Sequence, residues 1–133
     1  MTHVSRKVLS INTENALRDA LYSSLSQLSK DKLGRTFSVL ITKTEELMII
    51  KRLAILLLLK EGLTVDTIAK ATGTTHQTVS RIKLQLLEVP DKDKKLFYKN
   101  LSKWKNVHIL KSTIKDLINI KSRSQIRKKV SPF

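Results

Sequence analysis

Apolar residues recur along this chain three and four apart, and polar, glycine or proline breaks divide them into a succession of helices. Ala16, Leu17, Leu21, Leu25 and Leu28 give one apolar face to a helix opening near Thr13. Thr13 or Asn12 supplies its cap, and Glu14 favours the positive end of its dipole. Leu33 and the run FSVLI at 37–41 form a second patch on either side of Gly34. Its periodicity suits a short helix or an extended piece, and we take it as a helix.

Thr42 followed by Glu45 and then an apolar run is a capping-box pattern, and it predicts a helix over 43–61. Between Leu47 and Leu59 nearly every position is apolar, so the second half of that helix has no polar side to turn to water. Such a helix must be enclosed, either by its own flanking helices or by a second subunit. Gly62 ends it. Pro90 breaks the chain further on, with Asp91 and Asp93 opening a helix over 91–104 that carries Leu96, Phe97, Leu101 and Trp104. A last helix over 107–120 places Leu110, Ile114, Leu117 and Ile118 on one face. No internal repeat is present.

The stretch 65–84, VDTIAKATGTTHQTVSRIKL, has a different grammar. It reads as two short helices joined by a tight turn. Thr64 caps the first, with Asp66 in its first turn, and Ile68 and Ala69 form its inner edge. Gly73 can take the positive φ that a sharp helix-to-helix turn needs. Thr74 or Thr75 caps the second helix, and Val79 and Ile82 face the same small core. The outward positions are left with Thr75, His76, Gln77, Ser80, Arg81 and Lys83. All are polar and none is acidic, which suits a helix entering the DNA major groove, where base edges and phosphates call for donors and cations. A purely structural αα-hairpin also needs a small turn residue. The combination of Ala four residues before the glycine with β-branched residues six and nine after it favours the DNA-reading alternative.

Charge sharpens this picture. The 133 residues carry a formal net charge of +15, with 26 Lys/Arg against 11 Asp/Glu. A chain this basic seeks a polyanion: DNA, RNA or an anionic membrane surface. Residues 63–89 hold three cations and two anions, whereas residues 90–133 hold thirteen and three. The last third of the chain is therefore expected to grip the polyanion, while the near-neutral centre reads or positions it. The chain divides into a flexible basic arm (1–12), a helical domain (13–104) and a basic helix with a polar tail (105–133). The arm, with Arg6 and Lys7, either touches DNA backbone or is plain disordered terminus.

Other function classes find little support. There is no cysteine, hence no disulfide framework and no thiolate metal site. The longest fully apolar run, 53–59, is too short to span a bilayer, and no signal-peptide pattern opens the chain. We expect a cytoplasmic, nucleoid-associated protein. His3, His76 and His108 are far apart with no acidic cluster at ligand spacing, and three glycines make no phosphate cradle, so neither a metal site nor an enzyme is expected. Five per cent aromatics argue against stacking on single-stranded bases, though not against duplex RNA.

From 40 to about 87 the chain resembles the tryptophan-repressor superfamily. The segments LITKTEE, KRLAILLLLKEGLT and IAKATGTTHQTVSR carry the resemblance, with a gap of one residue near 60–62. It implies an all-α intertwined homodimer whose two recognition helices enter successive major grooves, with the 105–133 region as a basic extension. By the same resemblance, a tryptophan-type effector pocket would fall on Thr42, Arg52 and Arg81. The tryptophan-binding member has glycine directly after the last of these, where this chain has Ile82, and a branched side chain there fills the slot. No cofactor is otherwise implied.

The expected function is that of a sequence-specific DNA-binding regulator, a repressor, working as a homodimer on double-stranded DNA. Thr74, Thr75, His76, Gln77, Ser80 and Arg81 lie at or near base edges, and Lys83, Lys70 and the C-terminal lysines on phosphates. The alternative is a non-specific architectural or recombination-associated DNA binder that uses the same hairpin.

Overall fold

The computed structural model describes residues 8–103 and, beyond them, residues 108, 112, 115, 116, 118 and 119. Among the described residues there are six α-helices and no strand: α1 (Ile11–Ser26), α2 (Lys30–Leu40), α3 (Lys43–Lys60), α4 (Val65–Thr72), α5 (His76–Glu88) and α6 (Asp91–Ser102). The basic arm to residue 7 and the tail from 121 lie outside the described residues. So does most of the expected 107–120 helix, although its six described positions are helical.

The chain divides into two compact units, Met1–Glu46 and Leu47–Phe133. In the first, α1 begins two residues before the Thr13 start expected from sequence. Ser10, rather than Asn12 or Thr13, is the cap, and its Oγ accepts the Thr13 N–H at 3.2 Å. Serine and threonine both fit a cap, so only the backbone decides which one serves. The patch at 33–41 is helical, as α2, with Ser29 capping it. Neither α1 nor α2 buries a single residue. The capping box forms as expected: the Thr42 N–H donates to Glu45 Oε1 at 3.0 Å, and the Glu45 N–H to Thr42 Oγ1 at 3.1 Å. The Thr42 backbone N–H foremost, and then the Thr42 hydroxyl, hold the Glu45 carboxyl below its ordinary range.

The second unit has a small aliphatic core. Ile55 and Leu58 of α3, Ile68, Ala69 and Ala71 of α4, and Val79 and Ile82 of α5 are buried together. Leu56, Leu57, Leu63, Val65 and Ile118 pack around them, so one residue of the C-terminal region lies against the core. Among the described residues the enclosure expected for α3 is only partial. Leu47, Met48, Ile49 and Ile50 remain about half exposed (49–54%), because α4 and α5 meet only the later turns of that helix.

α6 ends at Ser102, and Trp104 of the expected 91–104 helix lies outside the described residues. The helix is fastened to α3 by Tyr98, whose Oη donates to the Leu56 carbonyl at 2.9 Å and whose ring lies under Lys60 Nζ at 4.5 Å. Burial of the ring pushes the Tyr98 phenol above its ordinary pKa. No helix of the described residues is long and apolar enough to cross a membrane.

Candidate nucleic-acid interface

Two caps and one glycine build the reading head. Thr64 Oγ1 accepts the Thr67 N–H at 3.3 Å and opens α4. The helix ends at Gly73, whose φ of +65° lies in the left-handed region. A side chain there would cost about 1–2 kcal/mol of backbone strain. The cost is conformational, not steric, since an added Cβ would meet only Lys51 Nζ, at 3.9 Å.

The Thr74 N–H returns to the Ala69 carbonyl at 3.0 Å and closes the turn. Thr75, not Thr74, is the cap of α5: its Oγ1 accepts the Thr78 N–H at 3.1 Å. Thr74 is held in the turn by a 2.8 Å hydroxyl contact with Thr72. Residues 65–88 are therefore two helices on one core, with a left-handed glycine between them. Residues 49–86 match the homeodomain-like helix-turn-helix family model. No curated protein and no solved structure matches the chain. The match supports a helix-turn-helix DNA-binding family and does not single out the tryptophan-repressor superfamily.

Within the helix-turn-helix, α5 is the second helix, the one that reads DNA in such motifs. Val79 and Ile82 hold its inner face in the core, at 0% and 6% exposure. At 100° per residue, Gln77, Arg81 and Leu84 point away from that core, and all three are exposed. Thr75, His76 and Lys83 are also exposed, while Ser80 is half-buried at the edge and Thr74 half-buried in the turn. Lys70 is exposed on the last turn of α4. The outward face of α5 thus carries a neutral amide, a guanidinium and hydroxyls. That is a donor–acceptor set with which base edges can be told apart.

Sequence inspection missed three features here. Asp66 of α4 comes within 3.6 Å of His76 Nε2, a pair that is ionic when the imidazole is protonated. An acid therefore does stand beside the first turn of α5, although α5 itself has none in that turn. His76 Nδ1 also lies 3.4 Å from Ser80 Oγ. Lys51 of α3 places its ammonium 3.5 Å from the Gly73 carbonyl and so adds a cation at the turn. Arg52, its neighbour, donates from Nη2 to Gln85 Oε1 on α5 at 2.8 Å. The three cross-helix contacts join residues 10 to 33 apart and leave no periodic mark on the sequence.

Each residue of the effector pocket inferred by resemblance has a local partner or position of its own. Thr42 caps α3, Arg52 is bonded to Gln85, and Arg81 is exposed on α5. Ile82, in place of the glycine, is buried in the core.

Proposed function

We propose that this protein is a sequence-specific DNA-binding transcriptional regulator, a repressor, and a binding protein, not an enzyme. It acts as a homodimer of tryptophan-repressor-like architecture in the cytoplasm, associated with the nucleoid. The observation that carries this reading is the outward face of α5. Gln77 and Arg81 project into solvent directly opposite the Val79–Ile82 core contacts, on a helix held by a glycine turn. Gln77 suits adenine N6/N7 and Arg81 suits guanine O6/N7. Lys70, Lys83 and the turn cation Lys51 suit phosphates.

The half-exposed Leu47–Ile50 turn of α3 and the coreless α1 and α2 support a second subunit, since exposed apolar turns and isolated helices of this length are marginal in water. In that arrangement two copies of α5 address half-sites about one helical turn apart.

Replacing Gln77 or Arg81 by alanine tests the assignment. Each substitution should cost about 1–3 kcal/mol on the preferred duplex and relax the preference at one base position. Binding curves on duplexes varied one base pair at a time read this directly. Unchanged base preference in both variants would remove α5 as the reading element. Equal affinity of the wild-type chain for all duplexes would favour the architectural alternative, to which the +10 charge of residues 90–133 lends weight.

A further inference from the structure

α5 is secured to the core by Val79 and Ile82, which lie three residues, or about 60°, apart around the helix. Two aliphatic anchors on so narrow an arc resist displacement of the helix but resist rolling about its axis only weakly. Rolling matters for reading DNA. With side chains the helix is about 5–6 Å in radius, so a roll of about 20° carries a side-chain tip about 2 Å along the base edges. A bidentate amide or guanidinium contact does not survive that displacement.

Gln85 lies where a roll would be felt. About 60° round the helix from Ile82, on the side away from Val79, it stands at the border between the core face and the outward face that carries Arg81. Its side-chain oxygen accepts from Arg52 Nη2 at 2.8 Å, across 33 residues of sequence. The preceding residue, Lys51, meets the Gly73 carbonyl just before α5 begins. Consecutive side chains of α3 thus reach both the turn in front of α5 and the border of its third turn. α3 is in turn anchored in the same core through Ile55 and Leu58, so the two contacts refer α5 to a fixed helix.

We propose that Arg52 and Gln85 are positioning residues for base reading: their bond, with the Lys51–Gly73 contact, sets the roll of α5 so that Gln77 and Arg81 meet the base edges in register. The proposal rests on the base-reading function above. Neither residue need touch DNA.

The test uses the full chain, a duplex enriched by selection from random DNA, and a random duplex at the same salt concentration. The quantity read is the ratio of the two affinities. Gln85→Ala removes no charge. It should lower the ratio about fivefold to tenfold, the range of one imperfectly made base contact, and leave affinity for the random duplex within about twofold. Arg52→Ala removes a cation that acts on both duplexes alike, so its effect on the ratio should equal that of Gln85→Ala. The double variant should lose no more than either single one, since each already breaks the same bond. Gln85→Glu keeps an acceptor for Arg52 and should restore the ratio, even if its charge weakens both affinities.

Both positions are exposed, so the unfolding midpoints should stay near that of the wild type. An unchanged ratio in Gln85→Ala overturns the proposal. Additive losses in the double variant also overturn it, because Gln85 would then read a base by itself. A wild-type chain with no preference for the selected duplex overturns the base-reading function, a result distinct from either.

Discussion

Ile68→Ala should unfold the reading head under conditions where the wild-type chain is folded. Ile68 is wholly buried, at 0% exposure, in contact with a core that includes Ile55 at 1% and Val79 at 0%. Truncating a buried isoleucine to alanine costs about 2–5 kcal/mol, through the transfer energy of the removed atoms and the cavity left behind. Whole domains are stable by only about 5–15 kcal/mol, and a core with seven buried side chains among the described residues belongs at the low end of that range. Urea unfolding followed by helical circular dichroism should show a large fall in midpoint. DNA binding should vanish on selected and random duplexes together, because α4 and α5 no longer have a common support. Leu84→Ala provides the contrast. Leu84 is 64% exposed, and its removal should move stability by less than about 0.5 kcal/mol.

The second large effect is ionic. Affinity for any duplex should fall by roughly 10³–10⁵ between about 50 and 200 mM salt if six to ten phosphates are neutralised, as counterions released from the duplex are returned to it. The last thirteen residues, 121–133, contain five Lys/Arg and no Asp/Glu. Deleting them should reduce the slope of log affinity against log salt by about 0.9 for each phosphate that is no longer neutralised, up to about 4.5. The reduction should be the same for selected and random duplexes, since the phosphate backbone carries no base information. A slope unchanged by the deletion would mean that the tail does not engage the backbone.

The two predictions separate what local chemistry revealed from what it did not. The Thr42–Glu45 box, the Gly73 turn and the inward pair Val79 and Ile82 are each set by a residue type at a fixed short spacing, and all are legible in the residues alone. Cap choice is less legible. Ser10, Asn12 and Thr13 are chemically equivalent as acceptors, and only the path of the preceding backbone distinguishes them.

The character of α3 is half legible. Its apolar residues announce a need for enclosure, but their pattern runs nearly all round and does not say which turns the chain itself covers. The cross-helix polar contacts are not legible at all. Lys51 with Gly73, Arg52 with Gln85 and Asp66 with His76 depend on how helices cross, and polar side chains of these types occur on any solvated face.

The most direct measurement is selection of bound sequences from a random duplex pool by the full-length wild-type chain, followed by sequencing of the enriched pool. The expected result is one enriched motif with two-fold symmetry, its half-sites about one helical turn apart, unchanged in the presence of tryptophan because Ile82 is buried in the core and leaves no opening beside Arg81. A pool that stays random through successive rounds, although the protein retains DNA, would contradict base reading by α5.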